Sequence, residues 1–190
     1  YELFALWAYE EDRPFWKEAA KASREYLIKA CHPETGFSAE YAEFDGSPMS
    51  RPIPWTTDRH DWFFSDAYRT VANIALDYEW FGVDAGQVKA AERLQHYLGV
   101  VRKENPYVIY EVDGTPIDEP ALHPVGMMVT TAQGSLAVIG AGYGEAEEKL
   151  AFEWIEKFWN EPLRKGERRY YDNCLYFFAF LALSGNYRIW

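Results

Sequence analysis

The chain has 190 residues, 48% of them hydrophobic and 26% charged, which is enough for one sizeable core or two small ones in a globular protein. Its formal net charge of −11 argues against nucleic acid, whose phosphates demand basic surfaces, and against anionic membrane surfaces. A neutral ligand such as a sugar is not repelled. The 8 Trp, 14 Tyr and 12 Phe make 18% of the chain, and flat rings either stack on pyranose faces or fill a helical core.

Taken in order, the chain opens at Tyr1 inside an apolar helical pattern, Glu2 to Glu10, with no capping residue, as though cut from something longer. Arg13 to Cys31 is amphipathic, with Phe15, Ala19, Ala22, Tyr26, Leu27 and Ala30 on one stripe and Asp12 as the N-cap. His32 to Asp61 is a long connection carrying Gly36, Gly46, Pro48, Pro52 and Pro54, read as a short irregular hairpin followed by an extended loop. Ser65 to Phe81 is an apolar helix closed by Gly82. Asp84 to Lys103 is amphipathic, opened by Asp84 and Gln87 at capping-box spacing. Tyr107 to Ile117 alternates around Asp113-Gly114, a hairpin signal.

Pro124 to Ala141 is an uncharged helix, too rich in Thr, Gln, Ser and Gly to span a membrane. Glu145 to Trp159 is amphipathic, with Leu150, Trp154 and Phe158 on one stripe, and Tyr171 to Leu183 is apolar again. Apolar and amphipathic helices therefore alternate. Such an order predicts an inner circle of apolar helices and an outer circle of amphipathic ones, with the long loops at one end. A helix bundle or solenoid is the rival. Seven helices make about half of such a ring, so the other half is expected upstream of Tyr1.

Cys31 and Cys174 fall in apolar helical contexts and are expected to be buried free thiols, since two cysteines make no disulfide framework. There is no metal-ligand motif, no glycine-rich phosphate loop and no convincing set among the four histidines, so neither a metal nor a cofactor is expected.

The chemistry concentrates in Asp58 to Arg69, which holds three carboxylates, two arginines, a histidine and four aromatic rings at the mouth of an apolar helix. Asp66 there has two readings. It complements the helix dipole with Arg69 as an i+3 ion-pair partner, or it is a general base that Arg69 and the helix terminus keep ionised. His60 lies in the same stretch. His123 stands in a rigid loop between two prolines, placed to wall off a cleft. Tyr170 and Tyr171 sit before the last apolar helix, as Asp66 sits before its own, and fit either sugar stacking or a core.

Phe64-Ser-Asp66-Ala-Tyr-Arg69 with the helix that follows resembles family 8 of the glycoside hydrolases, in particular its reducing-end xylose-releasing exo-oligoxylanases. Leu122-His123-Pro124, Tyr170-Tyr171 and Leu183-Ser-Gly-Asn-Tyr-Arg188 also look like that subgroup. The resemblance implies an all-α (α/α)6 barrel, of which this chain is the C-terminal half. It implies hydrolysis of β-1,4 xylo-oligosaccharides with inversion. On it Asp66 is the general base and Arg69 orients it. The Leu122–Pro124 loop blocks the cleft beyond the reducing-end sugar, and His123 meets that sugar's hydroxyl. Tyr171 is a further sugar contact, with Phe64, Arg59, His60 and Tyr170 as weaker ones.

The family's acid glutamate, and an aspartate that holds the distorted sugar, have no counterpart in this sequence. The expected partners are therefore the substrate and the missing half of the domain, and the chain alone should be inactive. Two free cysteines and a small-oligomer substrate point to the cytoplasm. The rival functions are a non-catalytic carbohydrate-binding module and a different helical-toroid glycosidase, such as an endo-glucanase or endo-xylanase. A lyase or epimerase acting on uronic sugars is disfavoured by the acidic charge.

Overall fold

A computed structural model describes residues 1–51 and 59–189. Pro52 and Pro54 of the expected loop, and Asp58 of the charged stretch, lie outside the described residues. The described residues are helix-rich, 57% helical and 7% strand. The helices are α1 (Glu2–Trp7), α2 (Arg13–Ala30), α3 (Tyr68–Phe81), α4 (Ala85–His96), α5 (Pro124–Gln133), α6 (Ser135–Val138), α7 (Glu145–Asn160) and α8 (Arg169–Leu183). Among the described residues three short strands, β1 (Trp62–Phe63), β2 (Val108–Glu111) and β3 (Pro116–Pro120), form an antiparallel sheet in that order. The Asp113-Gly114 hairpin is present, and Gly114 takes a φ of +95° beneath Tyr97, whose hydroxyl donates to its carbonyl at 2.8 Å. Two residues of the charged stretch add the third strand, Trp62 facing Glu111 and Phe63 facing Tyr110, which a run of two could not announce.

The apolar helices α3, α5 and α8 lie side by side, with α4 against α3 and α7 against α5. Their core joins Phe37, Phe63, Tyr68, Leu94, Met127, Trp154 and Phe158, and the Phe37 and Phe63 rings stack at 4.1 Å. The uncharged polar residues of α5 and α6 tie the layers together. Gln133 donates to the Ala72 carbonyl at 3.0 Å, Gln95 to the Thr131 carbonyl at 2.9 Å, and Ser135 to the Ala151 carbonyl at 2.8 Å. These bonds explain why a buried helix pair carries amides and hydroxyls at all, since buried polar atoms need partners. Among the described residues no helix is long and apolar enough to cross a membrane.

Several expectations are corrected. Pro124 to Ala141 is two helices, broken at Gly134, whose N–H is shared between the Thr130 and Thr131 carbonyls. α1 stops at Trp7 because Ala8 is extended and a turn at Tyr9 leads into α2. The α2 stripe is rotated: Ala20 and Arg24 are its buried residues, while Phe15 and Ala22 face solvent. Arg24 goes inward because Asp77 takes it in a two-point bond at 2.6 and 2.8 Å and Glu2 accepts at 2.8 Å. Asp12 makes no side-chain cap.

Asp84 does cap α4, accepting from the Gly86 N–H at 2.8 Å, but Gln87 turns inward to Asp77 at 2.6 Å and does not close a capping box. α8 begins at Arg169, so Tyr170 and Tyr171 are inside its first turn. Cys31 and Cys174 are free thiols but only half-buried, and desolvation pushes the Cys31 thiol up to about 12.

Candidate active site

The ends of α3, α5 and α8 where each begins converge, and side chains separated by about a hundred residues meet there. Asp66 lies in a single 3-10 turn, Ser65–Ala67, that leads into α3. Its Oδ2 pairs with Arg69 Nη2 at 2.8 Å, and its Oδ1 accepts from the Tyr171 hydroxyl at 3.0 Å. The Tyr171 hydroxyl also lies 3.2 Å from the Ser65 carbonyl. Burial first, and the nearby Asp66 charge second, raise the Tyr171 phenol well above its ordinary range, so it stays a donor to the carboxylate. The Asp66 side chain remains 42% exposed. It is thus gripped at both oxygens yet open to a ligand.

The turn is braced from behind. Ser65 has a φ of +37°, and the other described non-glycine residue with positive φ is Arg168, just before α8. Such conformations cost on the order of 1–3 kcal/mol and persist only where neighbours hold them. Glu40 holds the first: its Oε1 accepts from the Asp66 N–H at 3.2 Å, and its Oε2 lies 2.6 Å from His60 Nδ1. His60 is therefore packed behind the turn with its Nε2 enclosed, and Tyr41 sits edge-on to it at 4.8 Å.

On the far side of Tyr171 stands His123, the residue before α5, with the two rings 4.3 Å apart. His123 is 7% exposed and its Nδ1 lies 3.0 Å from Asp172 Oδ2. Asp172 is fully buried. It also accepts from the Gly126 N–H at 2.6 Å and from Arg164 Nη1 at 2.5 Å.

Of the residues predicted for the site, Asp66, Arg69, Tyr171 and His123 come together. Phe64 is half-buried, immediately before the Asp66 turn. Arg59 belongs to a neighbouring cluster, held in two points by Asp61 at 2.8 and 2.5 Å and stacked 4.7 Å over Trp62. That guanidinium keeps the Asp61 carboxyl below its usual range. Tyr170 is 82% exposed and lines a groove of about 570 Å³ with Cys174, Phe177 and Phe178. No local spacing points to Glu40, Arg164 or Asp172, because their role lies in contacts between distant segments. Among the described residues no group of three or more His, Cys, Asp or Glu side chains could hold a metal ion.

The chain matches no protein-family model. Compared with curated proteins, it is 53% identical over 191 residues to the reducing-end xylose-releasing exo-oligoxylanase Rex8A of Paenibacillus barcinonensis, covering all of this chain and 47% of that protein. It is 51% identical over 190 residues to the corresponding exo-oligoxylanase of Halalkalibacterium halodurans, covering all of this chain and 45% of that one. The chain is homologous to the reducing-end xylose-releasing exo-oligoxylanases. Its fold follows theirs: the structure of Rex8A complexed with xylose superposes with a TM-score of 0.86 over 99% of this chain and 47% of that one, at 52% identity. A variant of Rex8A complexed with 3(3)-alpha-L-arabinofuranosyl-xylotetraose superposes equally well, with 99% of this chain and 46% of that one covered. The chain spans just under half the length of the exo-oligoxylanases it matches.

Proposed function

We propose that this chain supplies the general base of an inverting hydrolase that releases xylose from the reducing end of β-1,4 xylo-oligosaccharides. The observation that carries this reading is the Asp66 carboxylate, held at one oxygen by Arg69 and at the other by Tyr171 while staying open to solvent. A carboxylate so placed takes a proton from a water as the water's oxygen bonds to the anomeric carbon. The glycosidic bond breaks on the opposite face, and the leaving oxygen takes its proton from an acid there. By resemblance that acid is a glutamate with no counterpart in this sequence. It belongs to the additional length of the relatives, with which this chain would close an (α/α)6 barrel. His123 and its loop stand where the reducing-end sugar would be stopped. A cytoplasmic setting fits two free cysteines and a small substrate.

The test uses the chain assembled with the complementary half of an exo-oligoxylanase relative and supplied with xylotriose. Asp66→Asn should lower the rate of xylose release about 10³-fold, within the range for loss of a general base, while sugar binding by calorimetry persists. Near-normal turnover would overturn the assignment.

A further inference from the structure

We propose that Arg164 and Asp172 form a lock behind the Leu122–Pro124 loop, and that this lock sets the length of the sugar released. The inference rests on the reading of Asp66 and His123 given above. Neither residue faces the site. Asp172 is fully buried, and Arg164 lies in the link between α7 and α8.

The lock takes hold of the loop at two points and of the first turn of α5 at a third. Arg164 Nη1 donates to the Leu122 carbonyl at 2.9 Å and to Asp172 Oδ2 at 2.5 Å. Asp172 Oδ2 meets His123 Nδ1 at 3.0 Å, and its Oδ1 takes the Gly126 N–H at 2.6 Å. Pro124, between these anchors, has no N–H of its own to contribute. Arg164 is in turn seated by Asn173, whose Oδ1 accepts from the Arg164 N–H at 2.9 Å and whose Nδ2 donates to the Arg164 carbonyl at 3.0 Å.

A carboxylate that accepts from all three neighbours fixes Nδ1 as the protonated nitrogen of His123. Nε2 is then the nitrogen available to a ligand. In front of the loop, one side chain spans the gap to the base: the Tyr171 ring packs on His123 and its hydroxyl bonds Asp66. Residues 171 and 172 thus hold the ring and the Nδ1 edge of His123 from one turn of α8. The room between base and wall is set by Tyr171 in front and by the lock behind. A loop released from behind can retreat and admit a second sugar unit.

The experiment follows the first products from xylotetraose with the assembled enzyme. The parent should release xylose. Arg164→Gln should raise the ratio of xylobiose to xylose about tenfold, the effect of losing a charge-assisted hydrogen bond. Arg164→Lys, whose ammonium can reach both oxygens, should restore most of the parent pattern. An unchanged ratio in Arg164→Gln, whatever its rate, overturns the proposal, because a merely structural role changes rate and stability but not product length.

Nitrogen-15 NMR of His123 in the chain itself gives an independent arm. A proton on Nδ1 supports the lock, and a neutral ring protonated only at Nε2 overturns it. If the parent releases no xylose, the base assignment fails, and the NMR result alone decides whether the lock exists.

Discussion

Arg24 is the residue that a hydropathy pattern handles worst: a cation on the buried face of α2. It is tolerable there because three oxygens receive its guanidinium, two from Asp77 and one from Glu2. For Asp77, burial opposes ionisation, but the bonds from Arg24 and Gln87 outweigh it and the carboxyl is held below its ordinary range. A depressed folded value means that Asp77 binds its proton less readily folded than unfolded. It therefore contributes stability above the unfolded value of about 3.9, and that stability is lost as pH falls through the folded value. Urea midpoints measured from pH 7 downwards should fall below about pH 4, and Asp77→Asn should be less stable at pH 7 with a flatter acid limb. An acid limb of the same steepness in the variant would place the titration elsewhere.

At this scale the site was partly legible. Asp66 and Arg69 stand three apart, so their ion pair could be read from spacing. Glu40 could not, because it stands 26 positions from the Asp66 N–H that it accepts.

The helices α3, α4, α7 and α8 were legible because their apolar periods are long and their ends are marked. Asp84 is one such mark, and its bond to the Gly86 N–H fills an orphan donor at the start of α4. Asp84→Ala should cost about 1 kcal/mol, measured by chemical denaturation. A loss below a few tenths would show that water replaces the cap. What spacing missed at this scale had tertiary causes. The break at Gly134 occurs inside an unbroken uncharged run. The first strand depends on distant segments, β2 presenting Glu111 and Tyr110 to it and Glu40 donating its N–H to the Trp62 carbonyl. Gln87 stands at capping-box spacing, yet the half-buried Asp77 carboxylate takes its amide in place of the helix terminus.

Across the whole molecule, apolar helices were expected to have neighbours on every side. α5 does, but α1 and α8 do not. Phe4 and Trp7 on α1 are 54% and 64% exposed, and Phe177 and Phe178 on α8 are 56% and 47% exposed. Faces of this kind signal an interaction surface. On the proposal that the relatives' additional length completes the domain, these are the two seams it covers. Sedimentation should show the chain binding the complementary half of an exo-oligoxylanase, and Phe178→Glu should weaken that complex at least about tenfold, as for an interfacial aromatic replaced by a charge. Equal binding by the variant would move the seam elsewhere.

The hydrogen bond from Tyr171 to Asp66 joins residues 105 apart in sequence. Closing so long a loop carries an entropic penalty that local helix formation does not repay, so contacts of this separation form late. The two strained residues, Ser65 and Arg168, flank the same junction. In folding, α3 and α8 can therefore wind, and their pairwise contacts with α5 can form, before the carboxylate acquires its orientation. On the reading of Asp66 as a base, its orientation depends on the first turn of α8, so a perturbation that merely frays that turn would release it.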